Sequence, residues 1–265
     1  LFLLALARPQ LGEGQAKIKA SGIDIVLAVD LSGSMAAEDF ELKGEPVNRL
    51  VIAKDVLEKF VEKRASDRIG LVAFAGRAYI AAPLTLDHDF LLKNLDRLTI
   101  GSLEDGTAIG SAISAAVNRL REIQGKSKII VLMTDGQNNA GKIPPLTAAE
   151  AAQALGMRIY TIGVGTRGVA RVPYINVFGQ KSYIDQQVDI DEETLTQVAE
   201  KTGGKYYRAD NTATLRKIYD EIDRLEKTEI EVKKFQRYRE LFHWFVLAGL
   251  VLVLLEIILS NKVWR

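Results

Sequence analysis

Four uninterrupted apolar runs recur along the chain, and between them apolar residues fall at helical spacing. The runs are Ile23–Asp30, Arg68–Ala75 (RIGLVAFA), Lys128–Thr134 (KIIVLMT) and Arg158–Val164 (RIYTIGV). A strand with one wet face alternates apolar and polar residues, so a run without alternation belongs to a strand covered on both faces. The stretches between them, Arg49–Lys63, Asp89–Leu98, Ala108–Ile123, Thr147–Leu155, Asp191–Thr202 and Asn211–Glu226, read as helices. The prediction is an α/β fold: a Rossmann-like, doubly wound, mainly parallel sheet flanked by helices. Ala78–Ala82 is expected as an edge strand and Lys205–Arg208 as a short further strand. The one long loop-like stretch is Gly165–Asp189, in which Val172–Ile184 reads as a hairpin turning at Phe178–Lys181.

Composition removes whole classes of chemistry. With 265 residues, 48% of them hydrophobic, the chain has ample material for a core. Its 35 Lys and Arg stand against 34 Asp and Glu, so it lacks the basic field of a nucleic-acid binder. It has no cysteine, which excludes disulfides, thiol nucleophiles, iron–sulfur clusters and Cys-based zinc sites. Only His88 and His243 are present, so a three-His metal centre is excluded too. His88 is expected at the surface start of a helix, and His243 at a membrane interface.

The ends differ from the middle. Leu241–Ser260 carries one formal charge, Glu256, in 20 residues. At about 1.5 Å per residue a helix of that length covers roughly 30 Å, the hydrocarbon thickness of a bilayer. Aromatic and basic residues bracket it: Tyr238, Arg239, Phe242 and Trp244 before, Lys262, Trp264 and Arg265 after. The first residues, LFLLALA, are also apolar and are expected to end a preceding span. The expected organisation is the end of a transmembrane segment at 1–8, a linker at 9–21 and a folded domain at 22–227. A juxtamembrane linker helix at 228–240, a transmembrane helix at 241–260 and a tail at 261–265 complete it.

In a doubly wound sheet the ligand site lies beyond the carboxyl ends of the strands. Asp30, Ser32 and Ser34 (DLSGS) follow the first run, Thr107 sits just before a helix, and Asp135 follows KIIVLMT. Together they offer two carboxylates and three hydroxyls. Such hard oxygen donors suit Mg²⁺, with Mn²⁺ and Ca²⁺ also admissible, and do not suit zinc. Gly33, Gly106 and Gly136 are expected to supply backbone freedom beside the ligands. Two aspartates only balance a divalent cation, so a carboxylate from a partner can take a remaining position without excess negative charge.

The segments DLSGSM, DGTAIG and LMTDG, in that order, resemble the metal-ion-dependent adhesion site of von Willebrand factor type A (VWA) domains over roughly Ser21–Lys227. The resemblance matches all five ligand positions, at Asp30, Ser32, Ser34, Thr107 and Asp135. ALARPQ, GIDIVLAVDLSGSM, DRIGLVAFAGRAYIAAPLTLD and the C-terminal span further resemble the membrane-anchored VWA proteins of bacterial aerotolerance (Bat) operons. That likeness implies an interaction role in the inner membrane, with other VWA membrane proteins and a MoxR-type AAA+ ATPase as partners. It also implies a periplasmic domain. The basic residues Lys233, Lys234, Arg237 and Arg239, counted by the positive-inside rule, point instead to the cytoplasm.

The expected function is therefore a membrane-anchored, non-enzymatic module that docks an acidic residue of a protein partner through a divalent cation. Two alternatives come from other classes: a Mg²⁺-dependent phosphotransfer or hydrolytic enzyme, and a structural membrane component with a vestigial site. Against the enzyme, Ser32 stands where phosphoaspartate enzymes place a second acid. The run Gly163-Val-Gly165-Thr-Arg-Gly168 fits a dinucleotide fingerprint in spacing, but Pro173 and β-rich residues follow it instead of a helix.

Overall fold

The computed structural model describes residues 6–7, 10–16, 22–123, 127–176, 178–188, 190–228 and 235–263. In chain order the elements begin with β1 (Gln10–Ala16), β2 (Asp24–Asp30), a 3₁₀ turn at Gly33–Ala36, β3 (Phe40–Leu42), β4 (Glu45–Val47) and α1 (Arg49–Glu62). Next come β5 (Arg68–Phe74), β6 (Ala78–Thr85), α2 (His88–Asp96), α3 (Ile109–Arg121), β7 (Lys128–Thr134), α4 (Pro145–Ala154) and β8 (Arg158–Val164). The remainder is β9 (Gly168–Ile175), β10 (Lys181–Val188), α5 (Glu192–Lys201), β11 (Tyr206–Ala209), α6 (Thr212–Thr228), β12 (Phe235–Glu240) and α7 (Phe242–Val263). The chain divides into two compact units, Ser21–Glu229 and the paired ends Leu1–Ala20 with Ile230–Arg265.

The larger unit is built on a six-stranded sheet in the order β11-β8-β7-β2-β5-β6. The four apolar runs are its four central strands, parallel throughout, and β6 closes one edge antiparallel to β5. Alternate residues of a strand point to opposite faces. Val26, Ala28, Val72, Phe74, Ile130 and Leu132 meet α3, α4 and α5 in one buried cluster. Ile25, Leu27, Val29, Leu71 and Val131 are equally buried on the other side. There α1 and α6 pack together, with the Phe60 and Tyr219 rings edge to face at 5.0 Å. Asn48, Asp87 and Asp191 cap α1, α2 and α5 by accepting from an amide of the first turn, which fixes where each helix starts.

Strand order decides where a ligand can enter the sheet. From β2 the chain moves outward to β5, then returns across the sheet to β7. The seam between β2 and β7 is thus the topological switch point, where a crevice opens at the carboxyl ends.

Three features depart from expectation. Residues 10–16 and 235–240, expected as a linker and part of a linker helix, pair as the antiparallel strands β1 and β12. Phe235 and Tyr238 favour extended backbone, and each strand's free backbone groups find partners in the other. The stretch expected as a long loop with a short hairpin is mostly ladder: β9 and β10 pair continuously from Gly168↔Val188 to Lys181↔Ile175. The small hairpin β3–β4 had no apolar run to announce it. Residues 1–5, 8–9, 17–21, 229–234 and 264–265, parts of the expected first span, linkers and tail, lie outside the described residues.

Helix α7 is long and apolar enough to cross a membrane, with a mean hydropathy of 2.4 over Phe242–Leu259. His88 opens α2, and its Nε2 lies 2.9 Å from the Asp67 carbonyl oxygen.

Candidate functional site

The β2–β7 seam brings the two predicted aspartates together. Asp24↔Lys128 register puts Asp30 level with Thr134, so Asp135 emerges one residue beyond. Asp30 is fully buried. Its Oδ1 accepts the Ser32 amide at 2.8 Å, and its Oδ2 accepts the Thr134 hydroxyl at 2.6 Å. The Ser34 hydroxyl donates to Asp135 Oδ1 at 2.6 Å, and the Ser32 and Ser34 oxygens are 3.1 Å apart. Residues 101 apart in sequence therefore share one hydrogen bond. Thr107 joins from the loop before α3. Its amide donates to Asn139 Oδ1 at 2.7 Å, and its carbonyl accepts the Asn139 amide at 3.1 Å. Thr107, Ser34 and Asp135 line one cavity.

Electrostatics at this rim favour a cation. Burial, reinforced by the charge of Asp135, pushes the Asp30 carboxyl up to about 7, against the hydrogen bonds from Thr134 and Ser32. Burial also raises the Asp135 carboxyl, although Arg49 and Ser34 pull the other way. Two desolvated carboxylates at close range resist both being ionised. A divalent cation between them removes that conflict. The donor set has two carboxylates and three hydroxyls, the chemistry of a hard cation. Among the described residues no cluster of three or more His, Cys, Asp or Glu side chains offers an alternative metal centre.

Sequence reasoning missed Arg49. At the first position of α1 a charged residue reads as solvent-facing, yet it is only 2% exposed. Its Nη1 donates to Asp135 Oδ2 at 2.7 Å, and its Nε donates to Asp39 Oδ1 at 2.9 Å. Asp39 also accepts the Thr166 amide at 3.0 Å and hydroxyl at 3.1 Å. Burial works to raise the Asp39 carboxyl, but the Arg49 and Thr166 contacts outweigh it and hold it below the usual range. Asp105 was missed as well: its Oδ1 accepts the Gly33 amide at 3.2 Å, placing a third carboxylate on the rim.

Of the three glycines expected to need special backbone, only Gly106 has a positive φ, 120°. Gly33 sits in the 3₁₀ turn, and Gly136 instead leaves space, since a Cβ there would be 3.3 Å from the Thr107 hydroxyl. Gly165 does both. Its φ is 137°, and a Cβ would lie 2.7 Å from the Arg49 Cζ. The Gly163–Gly168 run thus turns over a guanidinium and leads into β9, not into a helix.

The cavity is about 250 Å³. Ser34, Thr107 and Asp135 form one wall, and the β9–β10 hairpin supplies the other through Ala170, Val172 and Gln186. The hairpin is clamped to the segment after DLSGS. Lys181 Nζ and Tyr183 Oη donate to Glu38 at 2.7 and 2.9 Å, and the Glu38 amide donates to the Arg171 carbonyl at 2.9 Å.

Comparison with known proteins adds to this geometry. The family model of the von Willebrand factor type A domain matches residues 24–221. A protein of Borreliella burgdorferi described only as uncharacterized is 31% identical over 262 residues, 98% of this chain and 75% of its own. A crystal structure of an aerotolerance-related membrane protein from Bacteroides fragilis, carrying multiple mutations to serines, is 27% identical. It covers 78% of this chain and 100% of that one, with a TM-score of 0.65. A conserved hypothetical protein BatB from Bacteroides thetaiotaomicron gives 28% identity, the same coverage and a TM-score of 0.64.

Proposed function

From the premise that this chain belongs to the von Willebrand factor type A family, we propose that it is a membrane-anchored binding module working through one divalent cation. Asp30, Ser32, Ser34, Thr107 and Asp135 hold the cation, Mg²⁺ by preference. An acidic side chain of a protein partner completes its coordination. The observation that carries this is the 2.6 Å hydrogen bond between Ser34 and Asp135. It joins the first and last motifs at the sheet's switch point, where ligands of such sheets bind.

The cavity supports a protein ligand. It exceeds what one carboxylate fills, and its second wall continues outward along the hairpin. Cross-strand partners share a face, so Ala170 and Gln186 lead to Val172 and Ile184, then to Tyr174 and Ser182. Ile184 is 50% and Tyr174 45% exposed. Steps of two residues span about 7 Å, so an extended partner segment would place apolar side chains two and four residues from its acidic anchor. The site favours binding over catalysis: among the described residues no histidine lines the cavity, and the arginine that does is already paired with Asp39 and Asp135.

Helix α7 anchors the module in the bacterial inner membrane, with the domain on the periplasmic side. Other VWA membrane proteins and a MoxR-type ATPase are the partners the Bat likeness suggests. A reporter fused after Arg265 tests the orientation, an inactive periplasmic reporter and an active cytoplasmic one being expected. Calorimetry on the full chain in detergent tests the metal. Mg²⁺ and Mn²⁺ should bind wild type and fail to bind Asp30→Ala and Asp135→Ala. Equal heats from all three proteins would remove the proposal.

A further inference from the structure

Arg49 is an unusual neighbour for a cation site, because it is itself a buried cation. We propose that Arg49 selects the metal: by occupying Oδ2 of Asp135 it leaves that carboxylate a single oxygen to give and biases the site toward six-coordinate Mg²⁺ or Mn²⁺ over Ca²⁺. This rests on the proposed metal-binding role and concerns which ion the site prefers.

Coordination chemistry sets the choice. Ca²⁺ takes about six to eight oxygens at roughly 2.3–2.6 Å and gathers them with two-toothed carboxylates, whereas Mg²⁺ takes six at about 2.0–2.1 Å and keeps waters. Each carboxylate here has both oxygens engaged. Asp30 accepts the Ser32 amide on one and the Thr134 hydroxyl on the other. Asp135 accepts the Ser34 hydroxyl on Oδ1 and Arg49 Nη1 on Oδ2. A hydroxyl can rotate its proton away when a cation arrives. A guanidinium cannot, because it stays charged and carries fixed donors.

Arg49 also has nowhere to go. Its Nε and Nη2 grip Asp39, which Thr166 holds in turn through its amide and hydroxyl. The Gly165 backbone closes over the guanidinium, near enough that a Cβ would meet Cζ at 2.7 Å. A cation chelating both oxygens of Asp135 would share Oδ2 with this fixed positive group. An ion using Oδ1 alone avoids it. Two-handed binding of Asp39 and Asp135 is a property of the planar fork, which a single ammonium cannot reproduce.

The experiment compares Ca²⁺ with Mg²⁺ and Mn²⁺ affinities by calorimetry on the full chain in detergent, with circular dichroism to verify folding. Removing Arg49 alone would strand Asp39 and Asp135, so the test variant is Arg49→Leu with Asp39→Leu, and Arg49→Gln with Asp39→Asn replaces it should that pair not fold. Wild type should favour Mg²⁺ and Mn²⁺. The double variant should shift the Ca²⁺-to-Mg²⁺ affinity ratio toward Ca²⁺ by roughly tenfold, the scale of one charge-assisted hydrogen bond. Asp39→Asn, which retains Arg49, should keep the wild-type ratio. An unchanged ratio in a folded, metal-binding double variant overturns the inference, as does a wild-type preference for Ca²⁺. Loss of all cation binding in a folded double variant also counts against it, since the ion pair would then build the site instead of choosing its ion. Wild type binding no cation at all would defeat the metal-binding role itself, a result distinct from any of these.

Discussion

The Thr134 hydroxyl donates to Asp30 Oδ2 at 2.6 Å, so the last residue of β7 satisfies the buried carboxylate at the end of β2. That contact stitches the switch-point seam. Replacing Thr134 with Val keeps the shape and leaves a buried carboxylate oxygen without its donor. The expected cost is about 1–3 kcal/mol, read by urea denaturation in chelator. A loss well under that range would mean that Asp30 finds another donor.

Gly165→Ala is expected to be costly. The new methyl meets the Arg49 guanidinium, and a φ of 137° is closed to side chains. The loss should be roughly 2–3 kcal/mol. Gly168 has φ 94° but open space around it, so Gly168→Ala should cost only about 1 kcal/mol. Thermal melts of the two variants separate collision from backbone strain.

Acid should weaken the fold partly through Asp39. Its carboxyl is held below the usual range in the folded chain, despite the burial that works to raise it. The unfolded chain therefore takes up the proton first as pH falls. The stabilisation is complete above the unfolded value, about 4, and disappears as pH drops through the lower folded value. Denaturation midpoints of wild type and Asp39→Asn should differ clearly at pH 7 and converge toward pH 2. A constant difference across that window would assign the effect to shape and not to charge.

Glu38→Gln removes the charge that draws Lys181 onto the segment after DLSGS. Lys181 is exposed and Glu38 is partly covered at the surface, so global stability should change little. The readout is local: amides of β9 and β10 should exchange with deuterium faster, while those of β2 and β7 do not. Uniform exchange behaviour would show that the clamp is incidental.

The parallel strands were legible because burial on both faces leaves a run of apolar residues that little else produces. That Asp30, Ser32, Ser34, Thr107 and Asp135 would fall at one rim was legible because each follows a strand or precedes a helix. Arg49 was not, since its burial depends on Asp39, Asp135 and Gly165, none of which is near it on the same helix. Asp105 looked like a turn residue, and only the Gly33 amide across the rim gives it a role. The β9–β10 ladder was underestimated because its strands are half exposed, so Arg171, Asp185 and Gln186 break any apolar run. The pairing of β1 with β12 joins segments more than 200 positions apart, a match of backbones that no local pattern encodes.

The β9–β10 ladder closes on itself at Gly168↔Val188, so its two ends leave the sheet side by side. An appendage rooted at one point can be lengthened, trimmed or exchanged while the strands beneath keep their register. Descendants of this chain can therefore acquire new binding preferences by editing the ladder alone, leaving Ser34, Thr107 and Asp135 on the facing wall in place.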